Sequence, residues 1–203
     1  MESTWVKILT VVLSIFLGWV AGQGGEIFRE WLRRRRLSRD LIEELKFLGQ
    51  IIPGQIAAYE ESIHMAARQI IDPRITLNLE HPIYQNFYKD VCSTLTSAQR
   101  NSFQIIHSSI EMHNLLLTQQ LVVGNLELEG SNADALDKWT NLINTQYGNL
   151  RILLFRIEFH LMNLTRKTGE ISEYDEASFE DYMAQVVAEQ KKLINDARKP
   201  FRK

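Results

Sequence analysis

The hydrophobic and polar positions divide the chain into one unbroken apolar segment near its start and a long amphipathic remainder. Residues 8–25 carry no charge, and the first fourteen of them show no polar face at helical spacing. A helix from Trp5 to Gly22 would be about 27 Å long at 1.5 Å per residue, close to the roughly 30 Å of bilayer hydrocarbon. Trp5 and Trp19 lie near its two ends, as interfacial aromatic residues do. The pattern predicts a transmembrane anchor over residues 1–25.

Three alternatives to a membrane span fit this segment less well. A cleaved signal peptide carries its positive charge before the apolar run and has small residues at the cleavage site. Here most of the positive charge follows the run, although Val20 and Gly22 give a weak cleavage pattern. A buried core helix or an interfacial amphipathic helix needs a polar face, which the segment lacks. We therefore favour a true span, with the signal peptide as the open alternative.

Six arginines follow the apolar segment within about one further span-length: Arg29, Arg33, Arg34, Arg35, Arg36 and Arg39. Because positive residues beside a span are retained on the cytoplasmic side, they outweigh Lys7 and predict an N-terminus outside the cell. The main domain is then cytoplasmic, on a single-pass protein of the inner membrane, a layout of many small bacterial proteins that implies no activity. The cluster also predicts contact with anionic lipids, at roughly 1 kcal/mol per basic residue, although a topology signal alone needs no lipid partner.

Three small residues inside the apolar segment recur every four positions and share one helix face: Ser14, Gly18 and Gly22. Small residues at this spacing let two helix backbones approach closely in lipid, which predicts self-association of the span. Glycine is also simply common in transmembrane helices, so the pattern leaves both interpretations open.

Length and composition allow one ordinary domain beyond the anchor. The chain has 203 residues, of which 45% are hydrophobic and 24% charged, a balance that is globular rather than disordered. The net charge is −2, so no field over the whole protein attracts nucleic acid, and no nucleic-acid partner is expected. Cys92 is the single cysteine, which excludes an intrachain disulfide and is interpreted as a small buried thiol.

Apolar residues at helical spacing continue through most of the remaining chain. Residues 26–52 predict a basic juxtamembrane amphipathic helix, which Pro53-Gly54 should kink or break. Residues 53–203 predict a helical bundle domain with a basic C-terminal tail. Residues 74–82 are the exception, because their pattern predicts an extended connection rather than a helix.

Local signals mark one further helix in the middle of the chain. Thr96 and Gln99 have the spacing of a capping box, in which each side chain satisfies the other's backbone N–H. This arrangement predicts a helix that begins just after Thr96 and ends near Gly124, where glycine, serine and asparagine indicate a loop.

A seven-residue repeat gives the clearest helix of the chain. Its members are Leu136, Ile143, Leu150, Ile157 and Leu164, and Trp139, Gln146, Leu153 and His160 occupy the alternate positions. Such a repeat predicts a long helix with a coiled-coil-like seam. The predicted fold class is all-α, with a single transmembrane helix followed by a cytosolic antiparallel bundle of four to five helices.

Searches for known chemistries find no catalytic, cofactor-binding or metal site. The chain has no phosphate-binding loop, nucleophile elbow or zinc-binding histidine pair, and a di-iron bundle needs more than the lone Glu61-x-x-His64. His113 lies on an apolar stripe and is interpreted as a hydrogen-bonded core residue rather than a ligand.

These observations favour a non-enzymatic, membrane-anchored helical module that acts as a scaffold or sensor. Its expected partners are membrane lipids, a second copy of itself and a cytosolic or membrane protein. One alternative is an effector that perturbs the membrane through self-associating spans. A second is an enzyme with an unfamiliar site in the bundle, which a deep pocket gathering His113, His160 or Cys92 with carboxylates would favour.

Overall fold

A computed structural model describes residues 4–71, 77–128, 133–165 and 176–197, and all secondary structure within these ranges is helical. Five α-helices and one 3₁₀ turn follow each other along the chain: α1 Thr4–Ala66, α2 Pro82–Val91, the 3₁₀ turn Cys92–Thr94, α3 Ser97–Leu128, α4 Ala133–Thr165 and α5 Glu176–Ala197. The predicted all-helical fold is confirmed.

Helix α1 joins the apolar segment to the bundle without interruption. It contains 63 residues, so it is about 95 Å long at 1.5 Å per residue. The large apolar side chains that the structure describes are exposed as far as Leu32, whereas Leu41, Leu45 and Leu48 are fully buried. Among the described helices, α1 is long and apolar enough to cross a membrane, by length and composition alone.

The expected helix break at Pro53-Gly54 is not observed, because α1 continues to Ala66. Pro53 and Gly54 both face solvent, while Ile52, Ile56 and Tyr59 are buried on the other side of the helix. A proline in a helix interior costs about 3 kcal/mol. Burying three large side chains contributes about 1.5–3 kcal/mol each, which is enough to hold the helix together.

The core lies between α1, α3 and α4. Both α1 and α3 run antiparallel to α4. Gly49 of α1 lies against Ile157, and Glu60, further along α1, accepts a hydrogen bond from Tyr147. The opposite order of these contacts on the two helices shows their opposite directions. The hydrogen bonds between α3 and α4 show the same reversed order, because Ser102 bonds His160 and the later His113 bonds the earlier Gln146.

The seven-residue repeat of α4 forms much of this core. Ile143, Leu150 and Ile157 are fully buried, whereas Leu136 is half-buried and the side chain of Leu164 lies outside the described residues. The alternate positions are at most 1% exposed: Trp139, Gln146, Leu153 and His160. Helix α5 packs antiparallel to α4, where the Tyr182 hydroxyl donates to the Arg151 carbonyl and the Gln190 side chain donates to the Asn144 carbonyl, and it also contacts α1.

The connection between α1 and α2 has no regular secondary structure over residues 77–81, which agrees with the predicted absence of a helix there, while 72–76 lie outside the described residues. The side chain of Gln55 donates to the carbonyl of Leu77 at 2.9 Å. Asn114 of α3 both accepts from the N–H of Leu79 and donates to its carbonyl, at 2.9 and 3.1 Å. These bonds hold the connection between α1 and α3.

The capping box at the start of α3 is confirmed, but the expected end of that helix is wrong. Thr96 N–H donates to Gln99 Oε1 at 2.9 Å, and Gln99 N–H donates to Thr96 Oγ1 at 3.2 Å. The helix continues past Gly124 to Leu128. A Cβ on Gly124 would stand 3.1 Å from the buried Trp139 ring, so this glycine marks a close approach of α3 and α4 rather than a helix end.

Candidate membrane interface

The N-terminal half of α1 exposes a continuous surface of large apolar side chains. Trp5 is 79% exposed, Phe16 58% and Trp31 50%. The hydroxyls of Thr10 and Ser14 each donate to the carbonyl four residues earlier, at 2.8 Å, so neither needs water. A surface of this extent indicates contact with lipid or with another protein.

The three small residues of this segment lie open on the helix surface. Ser14, Gly18 and Gly22 are all exposed, and a Cβ added to either glycine would meet no other atom of the described chain within 4 Å. Nothing in the described residues of the same chain therefore covers this face. It remains accessible to a partner helix.

The six arginines occupy different environments on α1. Arg33 pairs with Asp90 of α2 at 2.6 Å, and Arg34 pairs with Glu30 at 2.9 Å. The hydrogen bond from Arg34, the largest of several arginine effects, lowers the pKa of Glu30. Arg29 donates to the carbonyl of Gly25 at 3.3 Å.

The remaining three arginines have no acidic partner in the described part of the chain. The guanidinium of Arg35 lies over the ring of Trp31, 5.4 Å from its centroid, which is a cation–π distance. Arg36 and Arg39 are exposed and form no ion pair or hydrogen bond within the described residues. These three guanidinium groups are the ones available to an anion.

A groove of about 820 Å³ lies where α1 leaves the bundle. Its main wall is one face of α1. Ile27 lies about five turns before the buried Leu45 at 3.6 residues per turn, so this is the same face that α1 buries in the core further towards its C-terminal end. The 3₁₀ turn contributes Thr94. The lining residues are Gln23, Glu26, Ile27, Glu30, Trp31, Arg34, Arg35, Ser38, Arg39 and Thr94.

Inside the bundle, four buried histidines form hydrogen bonds that the sequence pattern only partly predicted. His113 Nδ1 lies 2.8 Å from Gln146 Oε1, which confirms His113 as a hydrogen-bonded core residue. His160 Nδ1 lies 2.6 Å from Ser102 Oγ. No local pattern predicts the His81–His107 pair, whose Nδ1 atoms are 3.0 Å apart, since it joins the connection before α2 to α3.

Burial keeps these histidines neutral. It lowers the pKa of His107 to about 3, with a further contribution from the neighbouring His81 and His160 rings. It lowers the pKa of His160 to about 4 and also lowers the pKa values of His81 and His113. The Nε2 atoms of His107, His113 and His160 are buried without a hydrogen-bond partner among the described residues.

The four main cavities in the described part of the chain are not lined by His113, His160 or Cys92. Cys92 is half-buried rather than buried, and its Sγ donates to the carbonyl of Lys89. Among the described residues, no group of three or more histidine, cysteine or acidic side chains is placed to hold a metal ion.

Comparison with protein-family models, curated proteins and solved structures found no match to this chain. The function proposed below therefore rests on the geometry of the chain itself.

Proposed function

We propose that the protein is a single-pass membrane protein whose cytoplasmic helical bundle binds a protein partner, as a scaffold or sensor. The observation that carries this proposal is the continuity of α1, which is exposed and apolar at its start and buried in the core beyond Leu37. A change in the tilt or rotation of the anchor would reach the bundle core directly, because one helix belongs to both.

The proposed orientation places the N-terminus outside the cell and the bundle in the cytoplasm. It is supported by the arginines that follow the apolar segment, because positive charge beside a span is retained in the cytoplasm. The ion pair between Arg33 and Asp90 also joins the basic tract to the bundle, which supports a bundle on the arginine side of the membrane.

Cell fractionation and C-terminal reporter fusions test this topology. We expect the full chain in the membrane pellet, resistant to carbonate washing, and a chain without residues 1–25 in the supernatant. A fluorescent reporter that folds in the cytoplasm should be active at the C-terminus. Activity of a periplasm-only reporter at that position would overturn the proposed orientation, and a soluble full chain would overturn the anchor.

We further propose that two copies associate in parallel through one face of α1. Gly54 lies about ten turns after Gly18, and Ala58 about ten turns after Gly22, so all four share one side of a regular helix. All four are exposed, and neither Gly18 nor Gly54 has another atom within 4 Å of a built Cβ. Two chains anchored in the same membrane have parallel α1 helices, which allows the same face of each to meet.

Crosslinking in native membranes tests this association. We expect dimers for the wild type and fewer dimers for Gly18→Leu/Gly22→Leu, because the added side chains keep the backbones apart. Gly24→Leu is the matched control, since Gly24 lies on a different side of the helix. Monomers alone in the wild type, or equal losses in both variants, would contradict the proposed interface.

A second candidate function is perturbation of the membrane by the associated spans, favoured by the same uncovered Gly18–Gly22 face. High expression should then depolarise cells, and Gly18→Leu should abolish the effect. An unchanged membrane potential at high expression would exclude this function and leave the scaffold or sensor role in place.

A further inference from the structure

We infer that the groove between α1 and Thr94 binds the phosphate headgroup of an anionic membrane phospholipid. The inference rests on the proposed insertion of α1 into the bilayer. It goes further than a general attraction of the arginine tract to the membrane, because it assigns the headgroup to one face of α1 and to particular arginines.

The apolar and basic side chains of the groove occupy different ends of it. Ile27 and Trp31, beside Gln23 and Glu26, line the end nearer the apolar segment, and Arg35, Ser38 and Arg39 line the end nearer the bundle. A phospholipid lying in the groove would place its glycerol and upper acyl carbons against the first two residues. Its phosphate would then reach the basic end.

The end of the groove nearer the apolar segment lies at the level of a headgroup. Trp31 lies about 9 Å along the axis beyond Gly25, the last residue of the uncharged segment, and Arg35 and Arg39 lie about 15 and 21 Å beyond it, at 1.5 Å per residue. Both arginines therefore have to reach back towards the membrane to meet a headgroup. The headgroup region adds roughly 5–8 Å to each side of the hydrocarbon. Helical side chains lean towards the N-terminus, here towards the membrane, and the guanidinium of Arg35 does so, because it lies over the Trp31 ring one turn earlier.

The charges lining the groove leave two arginines for the phosphate. Glu30 is paired with Arg34 at 2.9 Å, so these two charges offset each other. Arg35 and Arg39 have no acidic partner in the described part of the chain and are one turn apart, a spacing that places their side chains side by side. Guanidinium groups bind phosphate oxygens through paired hydrogen bonds, so two of them can hold one phosphate.

Glu26 lines the groove at its membrane end and opposes a second negative charge there. The lining as a whole has three arginines and two glutamates, a net charge of +1. This balance favours a headgroup with one phosphate over one with several. Arg29 and Arg36 belong to the same tract but do not line the groove.

The difference between arginines that line the groove and arginines that do not allows a charge-matched test. The double variants Arg35→Gln/Arg39→Gln and Arg29→Gln/Arg36→Gln lose the same charge from the same tract. The full-length proteins would be purified in mild detergent with equal amounts of phosphatidylglycerol and phosphatidylcholine, and the lipid bound to each would be counted by native mass spectrometry. Circular dichroism would show whether the three proteins have the same helix content.

We expect the wild type to retain phosphatidylglycerol and Arg35→Gln/Arg39→Gln to lose roughly tenfold or more of that preference, from two lost charge contacts. The variant Arg29→Gln/Arg36→Gln should stay within about threefold of the wild type. Equal losses in the two variants would show a diffuse electrostatic attraction and overturn the groove as a site. No preference for phosphatidylglycerol in the wild type would overturn it as well.

Inorganic phosphate distinguishes a lipid from a soluble ligand. Millimolar phosphate should not displace the bound lipid, because it makes no contact with Ile27 and Trp31. Displacement would show that the groove takes a soluble phosphate and would overturn the lipid assignment. Failure of the proposed membrane insertion would be seen in a different experiment, cell fractionation, in which the full chain would not sediment with membranes.

Discussion

At the scale of single residues, the interior of the bundle depends on neutral histidines. The Nδ1 atoms of His81 and His107 are 3.0 Å apart, so one ring has to donate and the other has to accept. Tyr84 lies against the same ring, with its centroid 3.6 Å from that of His107. A proton added to the accepting nitrogen would remove the hydrogen bond and bury a charge among aromatic rings.

The bundle should therefore lose stability as the pH falls below about 6.5. The folded-state pKa of His107 is about 3 and that of His160 about 4, so between these values and 6.5 the unfolded chain binds more protons. At pH 5 each of the two should contribute on the order of 2 kcal/mol less than at pH 7.5. Thermal unfolding of the full chain in detergent at the two pH values measures this.

The variant His160→Gln identifies the source of that pH dependence. It should remove the contribution of His160 and leave that of His107, about half of what the two produce together, whereas His64→Gln, at a half-exposed position, should leave the dependence as in the wild type. Equal unfolding temperatures for the wild type at pH 5 and pH 7.5 would refute the role of the buried histidines.

Two helical glycines should respond oppositely to the same substitution. A Cβ on Gly148 meets no atom within 4 Å, so Gly148→Ala should raise the free energy of unfolding by about 1 kcal/mol through helix propensity. At Gly124 the new Cβ would stand 3.1 Å from Trp139, which is 1% exposed and cannot move away easily. Gly124→Ala should therefore not raise the free energy of unfolding. An equal rise for both variants in denaturant unfolding would disprove the close approach of α3 and α4 at Gly124.

At the scale of elements, the placement of α2 depends on a carboxylate from another helix. Glu44 of α1 accepts hydrogen bonds from the N–H groups of Ile83 and Tyr84, at 2.7 and 3.1 Å. These N–H groups belong to the first turn of α2, where no residue of α2 itself can accept them. Burial raises the pKa of Glu44, and the two N–H groups act in the opposite direction by favouring its charged form.

Removing that carboxylate should loosen α2 from α1. Glu44→Ala should cost about 2 kcal/mol, because it leaves two N–H groups without an acceptor, and lower the unfolding temperature by about 4–8 °C. The neighbouring Glu43 is exposed and pairs only at the surface with Lys46, so Glu43→Ala should change stability by less than about 0.5 kcal/mol. Hydrogen exchange should show faster exchange in α2 for the first variant alone, and unchanged exchange there would rule out the capping role.

What the sequence could predict follows from the distance over which each signal acts. The seven-residue repeat of α4, the capping box at Thr96 and the absence of a helix just before Pro82 are local patterns, and the structure confirms them. The Glu44–Ile83 and Arg33–Asp90 contacts join residues 39 and 57 positions apart. Such contacts depend on how helices pack, which local periodicity does not determine.

The two errors at this scale have the same physical origin. Pro53 and Gly124 each have the local preference of a helix breaker, and both lie inside helices. In each place tertiary packing outweighs that preference: buried side chains on the far side of α1 hold the helix across Pro53, and the ring of Trp139 occupies the space beside Gly124.

At the scale of the whole molecule, α1 connects two environments. Its first half presents apolar side chains that no other described part of the chain covers, and its second half contributes the centre of the bundle core. The basic groove lies at the junction between them. Lipid contact, self-association and partner binding are all proposed along this one helix, so they all depend on where its first half lies.

Cysteine labelling tests that location most directly. In a Cys92→Ser background, single cysteines would replace Glu2, Leu13 and Gln104, and intact and broken cells would be treated with a membrane-impermeant maleimide. We predict that Glu2→Cys reacts in intact cells, that Gln104→Cys reacts only after lysis, and that Leu13→Cys reacts only after detergent is added. Labelling of Leu13→Cys in broken cells at the rate of Gln104→Cys would show that the apolar half of α1 lies in water, and would contradict the account.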